Sequence, residues 1–183
     1  LRTHGSEQFR MSVLQPPILP NDHVRGPADA AITLVEYGDF ECRYCAAAHS
    51  QVRLVEQRFG KQLRFAFRHF PLTQMHPLAE PAAEAAEVAA AHDCFWEMHD
   101  GLYENREEFG LLLFLALAEE LDIPQDELSI ALATKRYAPK IQSDFRGGVR
   151  SGVNGTPTFF INGVRHDGGY QFEELASAVQ ARL

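Results

Sequence analysis

The stretch from residue 32 to residue 70 confines the chain to a narrow set of folds. Ile32–Tyr37 (ITLVEY) is apolar and β-branched, and Gly26-Pro27 bounds it upstream, a pattern that reads as a strand. Gly38-Asp39-Phe40-Glu41 breaks it, and from Cys42 the sequence turns helical through Ala46-Ala47-Ala48 to Phe59. Gly60 is placed to close that helix. Leu63–Phe70 (LRFAFRHF) then alternates apolar and basic residues at its centre until Pro71 stops it, which predicts a second strand. Strand, helix and strand in this order form a βαβ unit, with parallel strands and a right-handed crossover.

The middle of the chain has a different texture. Pro81–Asp93 is rich in Ala and Glu, Phe95–Asn105 is amphipathic, Leu111–Leu121 is strongly apolar, and Gln125–Ala133 follows Pro124. Lys135–Val153 reads as a last helical stretch, interrupted near Gly147-Gly148. Strands return at Thr158–Ile161 and Val164–His166, joined by Asn162-Gly163, the dipeptide that a type I′ hairpin turn favours. Phe172–Leu183 closes the chain as a helix. The order is β-α-β, a helical block, then β-β-α, an α/β class with a mixed sheet.

With 183 residues, 45 % apolar and 23 % charged, the chain has the make-up of one globular domain, long enough for a core without covalent staples. Seventeen Lys and Arg against twenty-five Asp and Glu give a net charge of −8, which argues against nucleic acid as a partner. Three cysteines exclude a disulfide scaffold. The longest apolar run, Phe109–Ala118, is about half of the roughly 20 residues a membrane span needs. Residues 1–26 read as an N-terminal tail, with expression-vector residues an open alternative for its first part, and residues 27–183 as the folded domain. No secretory leader is visible in LRTHGSEQFRMSVLQPPILP, and the expected compartment is the cytoplasm, or an extracytoplasmic one if a leader has been removed.

The chemistry lies in Cys42-Arg43-Tyr44-Cys45, at the end of a strand and the start of a helix. Free N–H groups and the dipole at a helix N-terminus stabilise a thiolate on Cys42 and lower its pKa into nucleophilic range. Cys45, one turn on, is placed to attack a mixed disulfide at Cys42 and release the partner. A metal is the competing reading of such a pair. Structural zinc wants a second ligand pair, whereas Cys94 stands alone and His49 or His76 has no companion at suitable spacing. Redox chemistry is therefore expected, with no metal and no bound cofactor beyond the cysteine pair itself.

GDFECRYCAAAH after a strand, followed far downstream by GVNGTPTFFINGV, resembles the thioredoxin superfamily. The helical block at about residues 76–152, with Phe95-Trp96-Glu97-Met98-His99-Asp100 inside it, resembles the DsbA-like branch of thiol-disulfide oxidoreductases. The resemblance covers nearly all of residues 27–183. It implies a thioredoxin fold with an all-helical insertion, an exposed attacking sulfur on Cys42, a buried resolving sulfur on Cys45, and a cis Thr156–Pro157 peptide beside them that binds substrate. It further implies cysteine-containing protein substrates and an external redox partner. Glu36, in the apolar LVEY strand, falls where the superfamily carries a buried acid, which suggests a proton relay to Cys45. The alternative is a solvated carboxylate.

Arg43 and Tyr44 occupy the dipeptide that tunes redox poise, and neither is the Pro or His of many relatives. Arg43 is expected to favour the thiolate and so an oxidising disulfide, or to be merely solvated. His49 either faces the pair or lies on the helix surface. Cys94 reads as a small buried hydrophobe, Phe95, Trp96 and Leu111–Leu121 as core, and Glu104–Glu108 as a solvated cluster. The functional expectation is exchange of a Cys42–Cys45 disulfide with protein thiols, in either direction. A redox-sensing or peptide-binding module with little turnover, one associated with a membrane transporter for example, is the alternative.

Overall fold

A computed structural model describes residues 12–183. Five strands, β1 (His23–Arg25), β2 (Ile32–Gly38), β3 (Leu63–His69), β4 (Thr158–Ile161) and β5 (Val164–His166), form one sheet in the order β1-β3-β2-β4-β5. β2 and β3 are parallel and the other neighbours antiparallel. Helix α1 (Arg43–Phe59) makes the crossover from β2 to β3. The insertion carries α2 (Ala79–Ala91), α3 (Phe95–Glu104), α4 (Leu111–Glu120), α5 (Gln125–Thr134) and α6 (Ala138–Arg150), and α7 (Phe172–Gln180) ends the fold. No helix among the described residues is long and apolar enough to cross a membrane.

Both faces of the sheet are covered, because successive side chains of a strand point to opposite sides. Ile32 and Leu34 enter the larger core with α1, α7 and helices of the insertion, while Val35 and Tyr37 enter a smaller one with Leu14, Phe70 and Phe160. Phe145 of α6 stacks on Phe70 with ring centroids 4.3 Å apart. The alanines of α2 are nearly all buried, and their short side chains let α3 and α5 approach it closely.

The structure differs from the sequence reading at three places. The tail does not run to residue 26: His23–Arg25 is an edge strand on β3, and Leu14 is buried. Part of the expected tail, residues 1–11, lies outside the described residues. Arg68 secures the rest with all five guanidinium N–H groups, donating to both oxygens of Asp22, the carbonyls of Pro16 and Pro17, and the Tyr37 hydroxyl. α6 runs unbroken through Gly147-Gly148. These glycines mark a close approach instead, since a Cβ on Gly148 would sit 2.6 Å from Phe70 Cδ2. The apolar Leu111–Leu121 run is not all core: Leu113, Phe114 and Leu117 are buried, whereas Leu112 is 83 % exposed.

Candidate active site

Cys42 is the N-cap residue of α1, and its amide is held by the Asp39 carbonyl at 3.1 Å. It is not exposed as the resemblance implied. Only 4 % of the residue is accessible, and it lines a cavity of about 390 Å³ together with Leu72, Met75, His76, Arg106 and Thr156 among others. Burial does not prevent ionisation here. The pKa is lowered to about 5, first by a hydrogen bond from the Cys45 thiol, against the opposing effect of burial, and then by the Thr156 hydroxyl and the main-chain N–H groups of Cys45 and Tyr44. The last two are the free donors of a helix start. Arg43 is not a leading cause. It donates to the Tyr44 hydroxyl at 2.7 Å and lies 4.7 Å over that ring, with Tyr44 itself half exposed.

Cys45 is fully buried. Its thiol is pushed well above the ordinary range by burial, then by its hydrogen bond to Cys42 and by the nearby charges of Glu36 and Cys42; the Asp39 main-chain N–H opposes this in part. One turn of helix thus separates an acidic sulfur from one that holds its proton tightly.

Glu36 is 1 % exposed, which excludes the solvated alternative. It belongs to the pleat face of Ile32 and Leu34, and its register partners are Phe67 on β3 and Phe159 on β4. Burial pushes its pKa up to about 8; Arg25 pulls it down and Cys42 pushes it up. Its Oε1 has no hydrogen-bond partner. The Tyr103 hydroxyl, also buried and unpartnered, feels the charges of Cys45 and Glu36. A protonatable carboxyl beneath the resolving sulfur is therefore a property of the sheet.

The Thr156–Pro157 bond is cis, and the Thr156 carbonyl accepts from Cys42 Sγ at 3.5 Å. Proline at the threshold of β4 has no N–H to donate. On its far side Pro157, Phe159, His166 and Tyr170 line a second cavity of about 160 Å³.

His49 is buried and turned towards α3 rather than lying on the surface. It stacks on Tyr103, and its Nε2 is 3.9 Å from Asp100 and 3.6 Å from Glu104. Cys94 is half-buried at the start of α3 and donates to the Ala89 carbonyl.

Four residues that the sequence reading did not place in the site organise it: Asp39, Glu41, His76 and Arg106. The Asp39 carboxylate accepts from the amides of Glu41 and Leu72 and from His76 Nδ1, each at 2.8 Å. Glu41 in turn accepts from the Leu78 amide. These bonds tie the cysteine loop to the segment that walls the cavity. An acid just before a helix start is a known turn former, but its partners at Leu72 and His76 lie more than thirty residues away. Arg106 joins the cavity from the end of the insertion's second helix.

Two groups bring metal-type ligand atoms within 4.8 Å of one another, His23 with His69 and Glu87, and His49 with His99 and Asp100. In the first, both Nε2 atoms lie on one Glu87 oxygen, at 2.6 and 2.7 Å. A metal-bound imidazole normally donates its second N–H, yet His69 Nδ1 is buried with no partner. Hydrogen bonding to the carboxylate fits this group better than ligation.

A central βαβ, a ββα half entered through a cis proline, an insertion of helices and a Cys-x-x-Cys helix start define a thioredoxin-fold dithiol protein. The chain belongs to the thioredoxin family, whose model covers residues 19–181. Its fold is similar to that of BdbD from Bacillus subtilis, with a TM-score of 0.83 at 22 % identity over 94 % of this chain and 98 % of that one. Wolbachia pipientis alpha-DsbA1 gives 0.78 at 21 % identity over 90 % and 92 %. Sequence relatives are named Na(+)/H(+) antiporters: NhaA 1 of Salinispora arenicola is 48 % identical over 91 % of this chain and 26 % of its own length. NhaA 3 of Salinispora tropica is 47 % identical over 97 % and 27 %. The chain thus spans about a quarter of these relatives.

Proposed function

We propose that this protein is a thiol-disulfide oxidoreductase acting on cysteine-containing protein chains. The observation that carries this reading is the contrast between the two sulfurs, with Cys42 held near pKa 5 and Cys45 raised well above 9. Only one of them is nucleophilic at neutral pH, and it is the one that opens on a cavity.

In the oxidising direction a substrate thiolate attacks Cys42 of the Cys42–Cys45 disulfide. The bond between the two cysteines breaks, a mixed disulfide forms at Cys42, and Cys45 leaves as a thiolate that takes a proton from the Glu36 carboxyl. A second substrate thiolate then attacks the substrate sulfur of the mixed disulfide, forming the substrate disulfide and releasing the Cys42 thiolate. Two electrons pass from two substrate thiols to the cysteine pair. The reducing direction reverses each step, with Glu36 taking the Cys45 proton. An external redox partner resets the pair, and no dissociable cofactor takes part. The main chain around the Thr156–Pro157 peptide offers an extended substrate a strand-like partner.

The test is a pair of substitutions. Cys42→Ser is expected to abolish both insulin reduction and oxidation of a reduced peptide, and Cys45→Ser to accumulate mixed disulfides at Cys42. Undiminished turnover in Cys42→Ser removes the assignment.

The likeness to antiporters supports a second reading, in which the chain is the redox part of a larger protein with a transport part. There the cysteine pair would report thiol status to ion exchange. Transport by the complete protein in vesicles, measured with the pair oxidised and reduced, should then differ; equal rates exclude this reading.

A further inference from the structure

We propose that the cavity at Cys42 selects cysteines flanked by acidic residues on an extended polypeptide. This rests on the oxidoreductase reading and deepens it. The chain as a whole carries −8, yet two arginines, Arg43 and Arg106, line this cavity together with the reactive sulfur.

Both guanidinium groups are held in place by aromatic rings, not by carboxylates. Arg43 lies 4.7 Å over Tyr44 and gives that hydroxyl one hydrogen bond; Arg106 lies 5.4 Å over Phe109. Neither has a carboxylate within 4.0 Å among the described residues. Arg106 Nε is buried without a partner. A guanidinium pre-set against a ring with free donors is suited to bidentate capture of a carboxylate.

The opposing charges are few. Glu41 also lines the cavity, but one of its oxygens is occupied by the Leu78 amide. Glu104, Glu107 and Glu108 neighbour Arg106 in sequence and are not among the lining residues. His76 faces the cavity with Nδ1 committed to Asp39. The ligand is read as a polypeptide rather than a small acidic thiol because Thr156 lines the cavity at Cys42 and the next residue, Pro157, lines a second one, so that the Thr156–Pro157 peptide has a cavity on each side.

The probe is a set of otherwise identical peptides whose single cysteine is flanked on both sides by Glu, Gln or Lys and activated as a 2-thiopyridyl disulfide. The Cys42 thiolate attacks the peptide sulfur, the bond to thiopyridine breaks, and the leaving anion takes a proton to give thiopyridone, which is read by absorbance. Cys45→Ser is the background, so that the mixed disulfide persists. At low salt the Glu peptide is expected to react about five- to tenfold faster than the Gln peptide, with the Lys peptide slowest and the spread shrinking in high salt.

Arg106→Gln should lower the Glu-to-Gln rate ratio, Arg43→Gln combined with Arg106→Gln should bring it close to one, and Arg106→Lys should keep most of it, with an unchanged circular dichroism spectrum showing that each variant is folded. Equal rates for the three peptides, a ratio that survives loss of both arginines, or glutathione carrying the same 2-thiopyridyl group reacting faster than the Glu peptide would overturn the proposal. Absence of reaction with every peptide, the Gln one included, is a different result and counts against the oxidoreductase reading itself.

Discussion

The sulfur of Cys42 lies 3.5 Å from the main-chain oxygen of Thr156, although 114 residues separate them in the chain. As a thiol, Cys42 donates to that carbonyl; as a thiolate it has no proton to give and turns to the N–H and O–H donors that lower its pKa. The junction of helix and proline loop therefore changes its bonding with one proton.

The rate at which Cys42 is alkylated should follow this proton. With the pKa at about 5, iodoacetamide labelling is expected to be level above pH 6 and to fall about tenfold per unit well below pH 5. The folded thiol releases its proton more readily than the unfolded one. Between about pH 5 and 9 the unfolded state therefore binds more protons, and the reduced protein gains stability as pH rises through that window. A labelling midpoint near 8.5 would contradict the site geometry.

Glu36 should act in the opposite sense. Its folded pKa of about 8 against an ordinary 4.5 means that the folded state holds the extra proton, so stability falls as pH rises from about 4.5 to 8. Glu36→Gln is expected to remove that slope and to raise stability at pH 9 by a few kcal/mol, measured by urea unfolding at several pH values. If Glu36 relays the proton of Cys45, the same variant should slow release of a mixed disulfide roughly a hundredfold while leaving alkylation of Cys42 nearly unchanged.

Arg68 is 2 % exposed and fully bonded. Arg68→Met leaves Asp22 buried without its partner, a loss of about 3–5 kcal/mol. Thermal unfolding should shift accordingly, and limited proteolysis should begin between residues 12 and 22.

Gly148→Ala tests the helix contact. The added methyl would meet Phe70 at 2.6 Å and Tyr37 at 3.0 Å, and a destabilisation of about 1–3 kcal/mol is expected. Gly155→Ala, whose new methyl would find nothing within 4 Å, should cost much less in the same urea titration.

Much of the fold is legible in local pattern. The βαβ unit, the Asn162-Gly163 turn and the helix start at Cys42 depend on periodicity and on residues adjacent in sequence. β1 stays hidden because three residues, His23–Arg25, are too few to show alternation. The face of β3 that carries Arg68 stays undecided because alternation marks a strand without saying what covers each side. The cysteine pair and the proline announce themselves by spacing. Asp39, His76 and Arg106 do not, because their roles depend on loops that tertiary packing brings together. Even the accessibility of Cys42 is a tertiary property: a wall from residues 72–76 and the Thr156 carbonyl cover a sulfur that the helix start alone would leave open.

Ser12–Leu14 runs beside β5, with Leu14 N–H donating to Gly163 and Arg165 N–H donating to Ser12. A border strand so sheathed by its own chain has little vacant main chain with which to recruit a sister molecule. The guanidinium of Arg68 holds the residues that follow this cover, Pro16, Pro17 and Asp22, so losing that one group would loosen the anchor of the cover and leave β5 more open to pairing with another chain.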